Sequence, residues 1–120
     1  MKRIYNNHKN RIGTALCNFV KHFEKYYAFC SNYNYTNAAG KNIKIVVNKW
    51  VTSSTIGFSN YILFIEDFKI HLTIIPYYSS PSLKDVEIEI INSKSKGVRM
   101  FEKPTLSSLV YLMRLLDIKK

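Results

Sequence analysis

Basic residues and tyrosines alternate along the first part of the chain, and this combination of residue types suits contact with a polyanion. Residues 1–49 contain nine basic residues against the single acid Glu24: Lys2, Arg3, Lys9, Arg11, Lys21, Lys25, Lys41, Lys44 and Lys49. Tyr5, Tyr33 and Tyr35 lie between them. Lysine and arginine bind phosphate groups, and nucleic-acid bases stack on aromatic rings. The nine cations are therefore candidate nucleic-acid-binding residues, and the three tyrosines are candidates for base stacking.

The positive charge of the chain is concentrated in this first part. The 120 residues include 18 Lys and Arg against 8 Asp and Glu, which gives a formal net charge of +10. Residues 50–120 hold nine basic and seven acidic residues, so most of the excess belongs to residues 1–49. This asymmetry points to a nucleic acid or an acidic protein surface as the partner. The alternative interpretation is a solvated basic surface that only keeps the protein soluble.

Sequence motifs for catalysis and metal binding are missing. The four glycines are isolated and none precedes Lys-Ser or Lys-Thr, so no phosphate-cradling loop is predicted. CxxC and HExxH patterns are also missing, and we expect no metal and no cofactor. His22 and His71 could form an acid–base pair, but a helix surface and the far face of a sheet would separate them. Glu87 and Glu89 resemble a carboxylate pair, but a basic strand is expected beside them. We therefore predict that the protein is not an enzyme.

The cysteines and the lengths of the apolar runs indicate the cellular compartment in which the protein is expected. Cys17 and Cys30 fall on one predicted helix about 20 Å apart, which is too far for a disulfide. Two unpaired thiols are typical of an intracellular, cytoplasmic protein, in the host cytoplasm if the protein is viral, and they are also compatible with an organelle. No apolar run reaches the roughly 18 residues that a membrane span needs, so no membrane partner is expected.

The local patterns predict a helix, then strands, then a second helix. Residues 1–12 are polar and basic without an apolar period, which predicts a flexible arm ahead of a single domain over 13–120. Helical spacing of apolar residues runs from Thr14, a candidate N-cap, to Cys30. An Asn-rich loop is expected over residues 31–42.

The second part of the chain shows the alternation typical of strands. This alternation predicts strands over residues 43–51, 56–65, 68–74 and 86–90, with a short fifth strand over 98–101. Glu66 and Asp67 are expected to form a hairpin turn, and Pro104 with Thr105 to begin a closing helix. The predicted fold is a two-layer α+β domain with an N-terminal helix, a four- or five-stranded antiparallel sheet and a C-terminal helix, both helices lying on one sheet face.

Two functions are compatible with these features. The first is a non-enzymatic nucleic-acid-binding protein, with RNA preferred to DNA, acting alone or as a ribonucleoprotein subunit. Its arm and first helix would bind phosphates. The second is a small viral or phage factor that inhibits a host protein through an exposed sheet face, with a homodimer through the same face as a further alternative. The apolar residues predicted for that face are Val46, Tyr61, Leu63, Ile65, Ile75 and Ile91.

Overall fold

The computed structural model describes residues 2–23, 26, 28–51, 58–75, 82–95 and 98–119. Over these residues the chain forms a helix, a six-stranded antiparallel sheet and a second helix, which confirms the α+β class. The elements are α1 (Lys2–Val20), a 3-10 turn (Lys21–Phe23), β1 (Phe29–Thr36), β2 (Asn42–Val51), β3 (Ser59–Ile65), β4 (Phe68–Ile75), β5 (Ser82–Ser95), β6 (Val98–Glu102) and α2 (Leu106–Leu115).

Helix α1 begins at Lys2 and not at Thr14, so residues 2–12 are helical rather than an extended arm. The helix is held by Leu16 and other apolar residues that recur on one side and are buried, and Tyr5 packs partly against the same core. At Gly13 a Cβ atom would lie 2.9 Å from side-chain atoms of Leu83 and Val86 on β5. The missing side chain therefore allows α1 to lie directly on this strand.

Strand β1 occupies residues for which helix and loop were predicted. Helix α1 ends at Val20, well before Cys30, and Cys30 is an exposed residue of β1. Side chains along β1 alternate between half-buried and exposed, with Tyr33 and Tyr35 on the half-buried side. Its exposed positions carry small polar residues such as Asn32, which the sequence pattern did not distinguish from a loop. The sheet has six strands, and not four or five, because β1 joins its edge.

The strands follow one another across the sheet in chain order, as a meander. The predicted turn at Glu66 and Asp67 joins β3 to β4, and Glu66 there has a φ of 53°. In the register of β4 with β5, Lys69 lies opposite Glu89 and His71 lies opposite Glu87, which confirms that the acidic face of β5 runs beside basic residues. Strands β2 and β4 lie close to their predicted positions, whereas β5 extends beyond the predicted residues 86–90 at both ends. Strand β3 begins at Ser59, and residues 56 and 57 of its predicted range lie outside the described residues.

One hydrophobic core joins both helices to the sheet. Helix α1 contacts α2, β4 and β5. The buried apolar residues have one parity on each strand: Ile43, Ile45, Val47, Tyr61, Leu63, Ile65, Phe68, Ile70, Leu72, Ile74, Val86 and Ile88. Tyr61, Leu63 and Ile65, which the sequence analysis assigned to the exposed face, are in this core, so that assignment was wrong. Strand β3 is apolar on both sides, and the sequence therefore could not show which side is covered.

Helix α2 begins as predicted. The Thr105 side chain is its N-cap and accepts a hydrogen bond from the Ser108 backbone N–H at 3.2 Å. At the other end, the buried Asn37 side chain donates to the Leu115 carbonyl at 3.2 Å. The turn between β1 and β2 is thereby fastened to the last turn of α2.

Candidate nucleic-acid interface

Helix α1 has a polar side that faces away from the core. Its buried residues, including Ile12, Leu16 and Val20, lie on the opposite side of the helix. At 100° per residue, six exposed residues follow the polar side over more than four turns: Arg3, Asn7, Asn10, Arg11, Thr14 and Asn18. We call these six residues the outward face of α1. They are two cations, three amides and a hydroxyl, all of which form hydrogen bonds with phosphates or bases.

The whole of α1 lacks acidic residues. Lys2–Val20 contains four basic residues and no Asp or Glu. Lys2 and Arg3 are exposed in the first turn, and Lys21 is half-buried just after the last turn. The charge on this helix is therefore not compensated within the helix itself.

A groove separates α1 from the C-terminal segment after α2. It measures about 740 Å³ and is lined by His8, Arg11 and Thr14 on the helix side, with Ile118 and Lys119 opposite. The Arg11 Nη1 donates to the Lys119 carbonyl at 2.8 Å, which fixes the position of this guanidinium within the outward face and brings Lys119 next to it. One border of the outward face is therefore basic.

A second groove, of about 530 Å³, lies on the other side of the outward face, between α1 and the start of β5. Lys21 lines it from the helix side, and Lys84 and Asp85 line it from the strand. The Lys84 Nζ is 4.0 Å from the centroid of the Phe58 ring, a cation–π contact. The two lysines outnumber the single carboxylate of Asp85, so the side of the outward face along this second groove also has a net positive charge.

Lys9 and Tyr5 lie on the side of α1 that is turned toward the sheet. They line a cleft with Glu87, Glu89 and Lys103, among other residues. The Lys103 Nζ is 5.3 Å from the Tyr5 ring centroid, and the pKa of Tyr5 is raised by burial and, secondly, by the negative charge of Glu87. The cleft combines both signs of charge, and the structure does not bring these two residues onto the outward face.

Lys41 and Lys44 lie on β2 and the turn before it, away from α1. The Lys41 Nζ is 3.1 Å from Glu66 Oε1, and this hydrogen bond and the charge of Glu66 raise the pKa of Lys41. Lys44 is exposed and lies opposite Asn34 of β1. These two cations form no continuous surface with the outward face, because the sheet order separates β2 from β5.

Lys49 is buried, which corrects its assignment to a surface that binds phosphates. It is 3% exposed, and its Nζ donates to the Phe23 carbonyl at 2.7 Å. The alternation of apolar and polar residues along β2 assigns each residue to one of the two sheet faces, but it does not show which face the helices cover. Lys49 has the same parity as the buried Ile45 and Val47, so it extends into the interior.

The rings of Tyr33 and Tyr35 are also directed toward the covered side of the sheet. Tyr33 packs against Phe19 and Phe23, with ring centroids 5.8 and 5.2 Å away. The Tyr35 hydroxyl donates to a carboxylate oxygen of Asp117, and this hydrogen bond, with smaller effects of burial and of the Asp117 charge, raises the pKa of Tyr35. Neither ring lies near the outward face of α1.

The opposite side of the sheet carries a mixed surface that we call the outer sheet face: Val46, Trp50, Asn60, Ile62, Phe64, Lys69, His71, Thr73, Ile91 and Phe101. Asn60 Oδ1 lies 3.0 Å from His71 Nε2, and the Trp50 and His71 rings stack with centroids 6.1 Å apart. Phe101 is 45% exposed, with the Lys69 Nζ 4.6 Å from its ring centroid. The proposed partner of His71 in acid–base chemistry, His22, has a side chain outside the described residues, as does Lys25.

No family model, no curated protein and no solved structure matches this chain. Among the described residues, no group of three or more His, Cys, Asp or Glu side chains is arranged to hold a metal ion. In the same part of the chain no helix combines the length and apolar character of a membrane span.

Sequence reasoning missed two cations that the structure places beside α1. Lys84 and Lys119 come from the second part of the chain, whose near-neutral total gave no reason to select them. Each borders one of the two grooves along the outward face. The alternation of β5 could have placed Lys84 on a particular strand face, but no sequence pattern indicates that this strand lies beside α1.

Proposed function

We propose that this protein binds nucleic acid, without catalysing a reaction on it, through the outward face of α1. The observation that carries the proposal is a helix without acidic residues whose solvent side presents Arg3, Arg11 and three amides. The single parity of the buried apolar residues on each strand supports the inference that both helices cover the same sheet face. The polar side of α1 would then be the surface of that layer, accessible to a large partner.

The dimensions of the outward face suit a nucleic-acid backbone. From Arg3 to Asn18 it extends about 22 Å at 1.5 Å per residue. Cations border it on both sides, with Lys119 at one groove and Lys84 at the other. Each phosphate contact releases condensed counterions, so the affinity should depend strongly on salt. Cys17 and Cys30 are thiols and not disulfide partners, which agrees with a reducing compartment, and we infer a cytoplasmic location.

The proposal is tested with three cations of α1 and its border. The variant Arg3→Gln, Arg11→Gln, Lys21→Gln should weaken binding to fluorescent 30-nucleotide probes of single- and double-stranded DNA and RNA. If all three cations contact phosphates, the slope of log affinity against log salt should fall by about 2.7 on duplex DNA. Fluorescence anisotropy at four salt concentrations measures both quantities.

A control variant with the same net charge separates a specific surface from general attraction. Lys41→Gln, Lys44→Gln, Lys103→Gln also removes three positive charges, but at positions away from the outward face. For this control variant, the slope of log affinity against log salt should differ from the wild-type slope by less than about 0.9, the change expected for one phosphate contact. Equal losses in the two variants, or no binding of the wild-type protein to any probe, would contradict the proposal.

A second candidate function, docking of a protein partner, is favoured by the outer sheet face. Ile62, Phe64 and Val46 adjoin one another across β2 and β3, and Phe101 is 45% exposed at the other end of the face. Apolar residues with polar surroundings are typical of protein interfaces. The substitutions Phe64→Ser and Phe101→Ser should abolish such an interaction and leave nucleic-acid binding unchanged. Light scattering of the wild-type protein shows whether the partner is a second copy.

A further inference from the structure

The amides of the outward face are an unexpected choice for a helix. Asn7, Asn10 and Asn18 are exposed and lie on one side of α1. Asparagine is a poor helix former, and these three are neither caps nor turn residues. Within the described residues, none of the three amides has a hydrogen-bond partner. Their donors and acceptors are therefore directed at whatever lies against this side of the helix.

The surroundings of this row favour a double helix over a single strand. Asn10 and Asn18 line both grooves and therefore lie between them, and Asn7 lines the first groove. Arg11 and Lys119 line the first groove, and Lys21 and Lys84 line the second. Cations therefore lie on both sides of the asparagines, and they would face the two phosphate backbones that border a groove of a duplex. The major groove of B-form DNA is about 12 Å wide and accepts an α-helix. Asp85 lies in the second groove, where the two lysines outnumber it.

We propose that α1 inserts its outward face into the major groove of duplex DNA and that Asn7, Asn10 and Asn18 read base edges there. This inference rests on the proposed function and specifies its ligand. An asparagine amide donates to adenine N7 and accepts from adenine N6. The Asn7 and Asn18 positions are about 16 Å apart along the helix axis, so the readout covers roughly five base pairs.

The A-form geometry of double-stranded RNA opposes the same mode of binding. Its major groove is deep and too narrow for side chains on a helix to reach the bases. The protein should therefore prefer duplex DNA to duplex RNA of the same sequence. This preference for DNA differs from the sequence-based expectation, which placed RNA slightly ahead of DNA.

Selection from a random duplex DNA library tests the inference. We expect the wild-type protein to enrich a short motif that contains adenines. Against a duplex of that motif, the variant Asn7→Ala, Asn10→Ala, Asn18→Ala should lose about tenfold or more in affinity. Its affinity for a scrambled duplex and its salt slope should stay at wild-type values, because the cations remain in place.

Two controls keep the result interpretable. Alanine is the better helix former, so the triple variant should fold, and circular dichroism with thermal unfolding checks this. The variant Asn32→Ala, Asn34→Ala, Asn48→Ala removes three amides from the sheet side opposite the core and should retain the motif. A selection that enriches no motif, or an affinity for duplex RNA equal to that for DNA, overturns major-groove reading while the proposed function stands. Absence of binding to every nucleic acid overturns both.

Discussion

The Lys49 ammonium donates a hydrogen bond to the Phe23 carbonyl at 2.7 Å, inside the protein. Phe23 is the last residue of the 3-10 turn that follows α1, and its carbonyl also accepts a hydrogen bond from the Tyr26 backbone N–H at 3.1 Å. The same Nζ lies 5.6 Å from the centroid of the Tyr61 ring. A residue that composition assigns to a basic surface thus stabilises the end of the first helix against the sheet.

We predict that Lys49→Met lowers the free energy of unfolding by about 1 kcal/mol, because the Phe23 carbonyl loses one of its two donors and keeps only the Tyr26 backbone N–H. Urea unfolding followed by circular dichroism gives the value. The matched variant Lys44→Met, on the same strand but exposed, should change it by no more than about 0.5 kcal/mol. Similar effects of the two substitutions would show that the buried hydrogen bond does not stabilise the fold.

Tyr35 makes the stability of the protein sensitive to alkaline pH. Its pKa is raised chiefly by the hydrogen bond that its hydroxyl donates to Asp117, so the folded chain holds this proton more tightly than the unfolded chain. The stabilisation is complete below the unfolded pKa of about 10 and is lost as the pH rises through the higher folded pKa.

The Tyr35→Phe variant removes this titrating group and keeps the ring. Its urea midpoint should decline less steeply than the wild-type midpoint between pH 9 and pH 11.5. Asp117 retains its hydrogen bond from the Ala38 backbone N–H at 2.9 Å, so the turn should stay attached. Parallel declines in the two proteins would rule out Tyr35 as a source of the effect.

Gly13→Ala should destabilise the protein, although alanine normally stabilises a helix relative to glycine. The added methyl group would lie 2.9 Å from Leu83 and Val86, which forces α1 and β5 apart. We expect a loss of about 1–3 kcal/mol from overpacking. Asn10→Ala, an exposed substitution one turn earlier, should be neutral or slightly stabilising in the same thermal unfolding experiment. A more stable Gly13→Ala protein would mean that the helix does not lie so close to the strand.

The two thiols should react at different rates. Cys30 is exposed on β1, and Cys17 is 3% exposed within the core. Titration of the native protein with a thiol-specific chromogenic reagent should therefore show one fast equivalent, with a second appearing only in denaturant. The Cys30→Ser variant should lack the fast phase. Rapid reaction of Cys17 in that variant would indicate that α1 separates from the sheet.

Several parts of the structure could be predicted from local patterns. The alternation of β2, β4 and β5, the turn at Glu66 and Asp67, and the helix that begins after Thr105 were identified from the spacing of apolar residues and from turn and cap chemistry. These signals are local, because each depends on a contrast between neighbouring side chains. The first half of α1 and strand β1 lack that contrast, since polar residues occupy most of their positions.

The sequence alone determined the class of the fold, the approximate positions of the central strands along the chain and the excess of positive charge. The tertiary structure decided which of those charges share a surface: it buries Lys49, pairs Lys41 with Glu66, turns Lys9 toward the sheet and leaves Arg3 and Arg11 on the outward face of α1. The physical reason is that a local pattern shows that two sides of an element differ, whereas the side that is covered depends on contacts between residues far apart in the chain.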